Sequence, residues 1–190
     1  MKTNKGFTLI ELLVVMLVGL VILGGLVTFF TSQNRAYASH SQQVDTLQEA
    51  RLIVEIMTTD LRLAGYKGTG YALSGINQAT DKSIRVLADL DRNGSTSGTN
   101  EDITIAYDPN TATLTRTMNG NAEVLSDSIQ GFSLLYTMFD GTTTAAPSVL
   151  GDIRKVTVNL SVKSKFPDAM TKTYKIVNLV SDITPRNLAY

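Results

Sequence analysis

The sequence predicts an α+β fold in which one long N-terminal helix leans on antiparallel β-sheet. Two patterns predict it. From Phe7 the chain is apolar to Phe30 and then carries apolar residues at helical spacing, with no proline before Gly65. Beyond Gly65 it breaks into short alternating runs separated by turn residues.

The first element is the run Phe7 to Phe30, 24 residues. At about 1.5 Å per residue it is long enough to cross a hydrocarbon core of about 30 Å. Lys2 and Lys5 precede it with no acid among them, so the positive-inside rule keeps the short leader in the cytoplasm and sends the remainder outward. A secretory signal would be cut after the apolar stretch at a small-x-small site, and Thr28-Phe29-Phe30-Thr31-Ser32 matches that poorly. Gly6, between Lys5 and the apolar run, suits a different cut, because a residue without a side chain lets a protease approach the backbone closely.

Glu11 is the one charge in the run. A carboxylate within a bilayer is costly, by about 2.5 to 3.5 kcal/mol near a helix centre, and so calls for a partner or a function. Two readings are open: a helix-end glutamate reaching for headgroups, or a partner for an amine created by cleavage before Phe7. Gly19, Gly24 and Gly25 permit close helix approach or a bend.

From Thr31 the chain turns polar, yet Val44, Leu47, Val54, Met57, Leu61 and Ala64 recur on one helical face, with Gly65 as terminator. Span and amphipathic half together make one helix of nearly 60 residues. Strands are expected at Ser83 to Ala88, Asp102 to Tyr107, Thr113 to Met118 and Ala122 to Ser126, with turns at Asp108-Pro109-Asn110 and Asn119-Gly120. Longer strands follow at Ile129 to Phe139, Ile153 to Val162 and Thr171 to Val180, separated by Gly141 to Pro147 and by Phe166-Pro167-Asp168. The alternation of Val156, Val158, Leu160 and Val162 with Thr157, Asn159 and Ser161 marks a sheet with one wet and one buried face, which the amphipathic helix is placed to cover.

The stretch Gly6-Phe7-Thr8-Leu9-Ile10-Glu11-Leu12-Leu13-Val14-Val15 resembles the prepilin leader of type IV pilins and type II secretion pseudopilins. The resemblance implies a pilin-like fold, cleavage by a prepilin peptidase between Gly6 and Phe7, methylation of the new amine on Phe7, and a Glu11 that pairs with the amine of a neighbouring subunit. It also implies residence in the inner membrane as a single-pass protein with the C-terminal domain outside the cytoplasm, and later in a filament with other pilins or pseudopilins. The expected organisation is a leader at 1–6, an apolar membrane and filament-core helix at 7–30, its amphipathic continuation at 31–65 and a β-rich domain at 66–190. Further along, Glu49-Ala50-Arg51 leading to Asp60-Leu61-Arg62-Leu63-Ala64-Gly65-Tyr66, together with the hairpin carrying Leu114-Thr115-Arg116, is similar to PilW-type minor pilins and GspJ-type minor pseudopilins. Taken by themselves, Asp60 and Arg62 read as a solvated pair near a helix C-terminus.

One loop has metal-ligand spacing. Asp89, Asp91 and Asn93, followed by Gly94 and Ser95, place oxygen-bearing side chains at alternate positions, as a calcium loop begins. Position 12 of such a loop is Asn100 rather than glutamate, with Glu101 and Asp102 just beyond. A strand-bounded loop could close on Ca²⁺ with Asp89, Asp91, Asn93, the Ser95 carbonyl and Glu101 or Asp102. Asp, Asn, Gly and Ser are equally what an exposed turn contains.

Composition narrows the function. With 17 basic and 17 acidic residues the net charge is zero, which predicts no basic field for nucleic acid or acidic lipid. There is no cysteine, so the C-terminal region needs packing or a clamp other than a disulfide. The single histidine, His40, lies beside Ser39 and Ser41 on the long helix, a poor start for a zinc site or a Ser-His-Asp triad. An enzyme is not expected. The expectation is a structural subunit, a minor pilin that helps initiate a type IV pilus. A minor pseudopilin of a secretion system and a tip-displayed adhesin, using the 89–100 and 142–147 loops, stand as alternatives.

Overall fold

The computed structural model describes residues 6–68 and 70–188. Helix α1 runs unbroken from Leu9 to Leu63, 55 residues, straight through Gly24 and Gly25. It starts at Thr8, an extended N-cap, and ends where Ala64 leaves the helical region. Gly65 follows at φ +76°, where a Cβ would also lie 2.7 Å from the Asn187 carbonyl oxygen. Its N–H donates to the Leu87 carbonyl at 2.9 Å, so the helix end is pinned to the sheet.

Two antiparallel sheets follow. The first has five strands in simple order: β1 (Ile76–Ala79), β2 (Ser83–Leu87), β3 (Asp102–Asp108), β4 (Thr113–Met118) and β5 (Asn121–Ser126). The turn between β4 and β5 is Asn119-Gly120, both at positive φ, as a tight hairpin requires. The second sheet is built from β6 (Ile129–Met138), β7 (Thr143–Thr144), β8 (Ile153–Lys163) and β9 (Ile176–Ile183), in the order β7-β6-β8-β9. In β8 the alternation holds: Val156, Val158, Leu160 and Val162 are buried, and the residues between them are half-buried.

One core serves all three layers. Ala50, Ile53, Met57 and Leu61 of α1 and its C-cap Ala64 share one cluster with Ile84, Val86 and Ile105 of the first sheet and Leu134, Tyr136, Val158 and Leu160 of the second. Each fully enclosed aliphatic side chain contributes about 2 kcal/mol. The turn between β1 and β2 sits on β6: the Leu134 N–H donates to the Asp81 carbonyl at 2.8 Å, and the Tyr136 hydroxyl to the Thr80 carbonyl at 2.7 Å.

Three expectations need correction. The docked face of α1 is the Ala50, Ile53, Met57, Leu61 stripe, not one through Val44, which is half exposed; Ala50 lets the helix approach closely, and the register of the stripe follows it. The last strand begins at Ile176 rather than Thr171, because residues 164–175 form a closed hydrogen-bonded loop. The cover is over two sheets rather than one, since the short strands after Gly65 make a separate five-stranded meander.

Candidate functional site

At the N-terminal end, Phe7 is 88% exposed. Thr8 and Glu11 form a capping box. The Glu11 Oε2 accepts from the Thr8 N–H and from the Thr8 hydroxyl, each at 2.9 Å, while the Glu11 N–H donates to Thr8 Oγ1 at 3.3 Å. The signal for this was in the sequence: Thr-x-x-Glu ahead of an apolar run is the capping-box pattern. The carboxylate thus lies one helical turn inside the chain end that a cut after Gly6 would create. An added Cβ at Gly6 would meet nothing within 4 Å, so the fold makes no demand for glycine there. Lys2 and Lys5 lie outside the described residues.

The apolar half of α1 is exposed on every face, with Leu12, Leu13, Leu17, Leu23, Phe29 and Phe30 all more than half exposed. Among the described residues it is the one helix long and apolar enough to cross a membrane by length and composition.

Residues 1–27 match the prokaryotic N-terminal methylation motif. The motif supports a type IV pilin or pseudopilin subunit, implies processing by a prepilin peptidase and assembly with other pilins, and fits membrane anchoring followed by incorporation in a filament. It points to a structural subunit rather than an enzyme. The match covers most of the apolar stretch and stops before the domain. Among curated proteins, no match to this chain emerges.

In the acidic loop, Asp89, Asp91 and Glu101 each bring a carboxylate oxygen within 4.8 Å of the others, Asp89 and Glu101 buried and Asp91 exposed. Glu101 Oε1 accepts from the N–H groups of Leu90 at 2.8 Å and Asp91 at 3.2 Å, and its Oε2 from that of Gly98 at 2.6 Å. Asp89 accepts from the N–H groups of Asn93 and Gly94, each at 3.1 Å, and from the Tyr71 hydroxyl. Burial pushes the Asp89 carboxyl up, but these hydrogen bonds outweigh it and hold the group below its ordinary value. Burial, then the Asp89 carboxylate, push the Tyr71 phenol up to about 12, so it stays a donor. Asn93 Oδ1 accepts from the Ser95 N–H at 2.8 Å.

Asp102 is not part of this cluster. It forks onto Arg85 of β2, at 2.8 and 2.6 Å, because β3 has begun and its side chain follows the sheet. The carboxylates able to hold a hard cation are therefore Asp89, Asp91 and Glu101, one position later than a standard loop would place the last.

The segment Asp60 to Tyr66 is interior rather than solvated. Asp60 is 3% exposed and pairs with Arg116 of β4. Leu61 and Ala64 are fully buried, and Tyr66 accepts from Arg92 of the acidic loop at 2.5 Å through its hydroxyl. Arg62 alone faces out. A charged residue is expected in water, but the partner of Asp60 lies 56 residues downstream.

In sequence Asp168 reads only as part of the break between two strands. It is fully buried, and its carboxylate accepts from the Ser39 hydroxyl on α1, from the N–H groups of Met170 and Thr171, each at 2.8 Å, and from Lys175 at 3.4 Å. The Gln42 amide meanwhile donates to the Phe166 carbonyl. Loop 164–175 is a strap fastened to the helix, the clamp that a chain without cysteine needs.

Proposed function

We infer that this chain is a prepilin cut between Gly6 and Phe7, methylated on Phe7, and built through α1 into a type IV pilus as a minor subunit that helps initiate assembly. The observation that carries this is one continuous helix. Its first half bears the methylation motif and exposed apolar residues all round, and its second half is docked on a two-sheet domain. A helix apolar on every face needs lipid or other helices around it.

Gly6 supports the cut, since its lack of a side chain serves nothing within the fold. Glu11 supports the assembly step. Its carboxylate, near the start of the helix, would meet the amine of a neighbouring subunit in a medium of low dielectric. The minor, initiating role rests on the segments similar to PilW-type proteins. Asp60 and Arg116, one from each such segment, bind one another, so the likeness falls on residues that join helix to sheet.

Intact mass and N-terminal sequencing of the protein from its host test the processing. A chain beginning at N-methyl-Phe7 is expected, and one that keeps Met1 overturns it. Loss of pili on deletion, with the pilus machinery intact, is expected for the initiating role; unchanged pili in number and length would refute that role.

A further inference from the structure

Four of the nine lysines, Lys163, Lys165, Lys172 and Lys175, fall within the strap and its margins, where Asp168 is the one acid. The zero net charge of the chain conceals this local excess. The Asp168 carboxylate is turned inward, held by Ser39, by two backbone N–H groups and by Lys175. What the strap shows to solvent is basic and apolar together: Lys165 and Lys172 are exposed, as are Phe166 at 72%, Met170 at 57% and Tyr174 at 49%. Lys163 lies over the Tyr174 ring, 5.5 Å from its centre.

Position decides what this surface meets. Ser39 and Gln42, which hold the strap, come before Glu49, Asp60 and Arg62, the other α1 residues whose side chains or carbonyls bond to the domain. The strap is therefore the end of the domain nearest the apolar half of the helix. From Thr31 to Ser39 the helix rises about 12 Å. The headgroup layer takes up about 5 to 7 Å of that, leaving a distance that a lysine or phenylalanine side chain spans. Tyr37, 78% exposed, fills the gap on the helix itself.

We propose that, before assembly, the strap rests on the outer face of the membrane and binds anionic phospholipid headgroups, with Lys165 and Lys172 on the phosphates and Phe166 and Met170 in the headgroup layer. Basic residues beside exposed aromatic ones are the pairing that an anionic interface attracts. Asp45 of α1, exposed at the rim of the strap, disfavours a deeper seat. The contact would hold the domain at the membrane, and extraction would have to break it. This rests on α1 spanning the bilayer.

The chain has no tryptophan, so a single one reports its own site. Full-length Phe166→Trp, with Met170→Trp as a second reporter on the strap, is reconstituted in vesicles of phosphatidylcholine alone or mixed with phosphatidylglycerol, each with lipid spin-labelled at the headgroup as quencher. Phe139→Trp, 74% exposed at the far end of β6, is the control. With phosphatidylglycerol the strap reporters are expected to shift to the blue and be quenched, and the control is expected to do neither. Quenching should fall to the control level in high salt or in Lys165→Gln/Lys172→Gln. Strap reporters quenched no more than the control, or equally in both lipids, overturn the proposal while co-flotation of the chain with vesicles keeps the spanning helix. A chain that floats with neither vesicle overturns the spanning helix, and the proposal with it.

Discussion

Arg116 sets two nitrogens on the Asp60 carboxylate, Nε to Oδ2 at 2.7 Å and Nη2 to Oδ1 at 2.9 Å, and so ties β4 of the five-stranded sheet to the long helix. Their side chains are 13% and 5% exposed, Arg116 first, so neither charge has much water to fall back on.

Removing one partner should therefore cost more than the pair itself contributes. Arg116→Met is expected to destabilise the domain by about 3 to 5 kcal/mol, because it leaves a carboxylate enclosed without a counter-charge. Adding Asp60→Leu to it should recover much of that loss. Urea unfolding followed by tyrosine fluorescence measures both, and a single variant within 1 kcal/mol of wild type, roughly the worth of a surface pair, would show the site to be wetter than the geometry says.

The strap should respond to acid. The Ser39 hydroxyl and the Thr171 N–H hold the Asp168 carboxyl well below the usual range, against the effect of burial, with Met170 and Lys175 helping. A lowered folded-state value means that the open form binds the proton more readily. The stabilisation is full above the ordinary carboxylate value of about 4 and is lost as pH falls toward the folded value. Hydrogen-exchange protection of residues 164–175, corrected for intrinsic rates, should decline below about pH 4. In Asp168→Asn it should already be low at neutral pH. Protection unchanged from neutral to pH 3 would count against the clamp.

Glu11 caps its own helix, and the pairing with a neighbour's amine proposed for it separates from that use by mutation. Thr8→Ala removes one side of the capping box but keeps the carboxylate; Glu11→Ala removes the carboxylate. Both variants should be cleaved normally. Incorporation into filaments, read by immunoblot of sheared fractions, should fall in Glu11→Ala and remain near wild type in Thr8→Ala. Equal losses would reduce Glu11 to a helix cap.

We further propose that the acidic loop takes up Ca²⁺ through Asp89, Asp91 and Glu101. Two enclosed carboxylates beside a third repel one another, and a hard cation with oxygen ligands relieves that. Titration calorimetry should give heat at millimolar Ca²⁺, and Glu101→Gln should abolish it. No heat in the wild-type chain would leave these carboxylates as acceptors for the loop N–H groups alone.

The local features were legible where a single segment carries them. Thr113–Met118 is predicted to the residue, the Asn119-Gly120 turn is where the dipeptide places it, and the buried face of β8 follows from its alternation. What escaped involves partners far apart in sequence. Nothing near Asp168 announces Ser39, 129 residues earlier, and nothing near Asp60 announces Arg116. Strand β7, two residues long, carries too little pattern to be seen. The acidic loop was half legible, because ligand spacing shows which carboxylates are close in sequence but not that Asp102 turns away to Arg85.

Between Thr31 and Arg35 the helix is exposed, and from Tyr37 onward the strap and then the two sheets lie against it. The helix has no break in it. A push or turn applied to its apolar end would pass to the domain along a single rod, with roughly 9 Å of helix between Thr31 and the first residue beside the strap. An insertion of one residue in that exposed stretch would advance the domain by about 1.5 Å and swing it by about 100° around the shaft, presenting a different side to its neighbours.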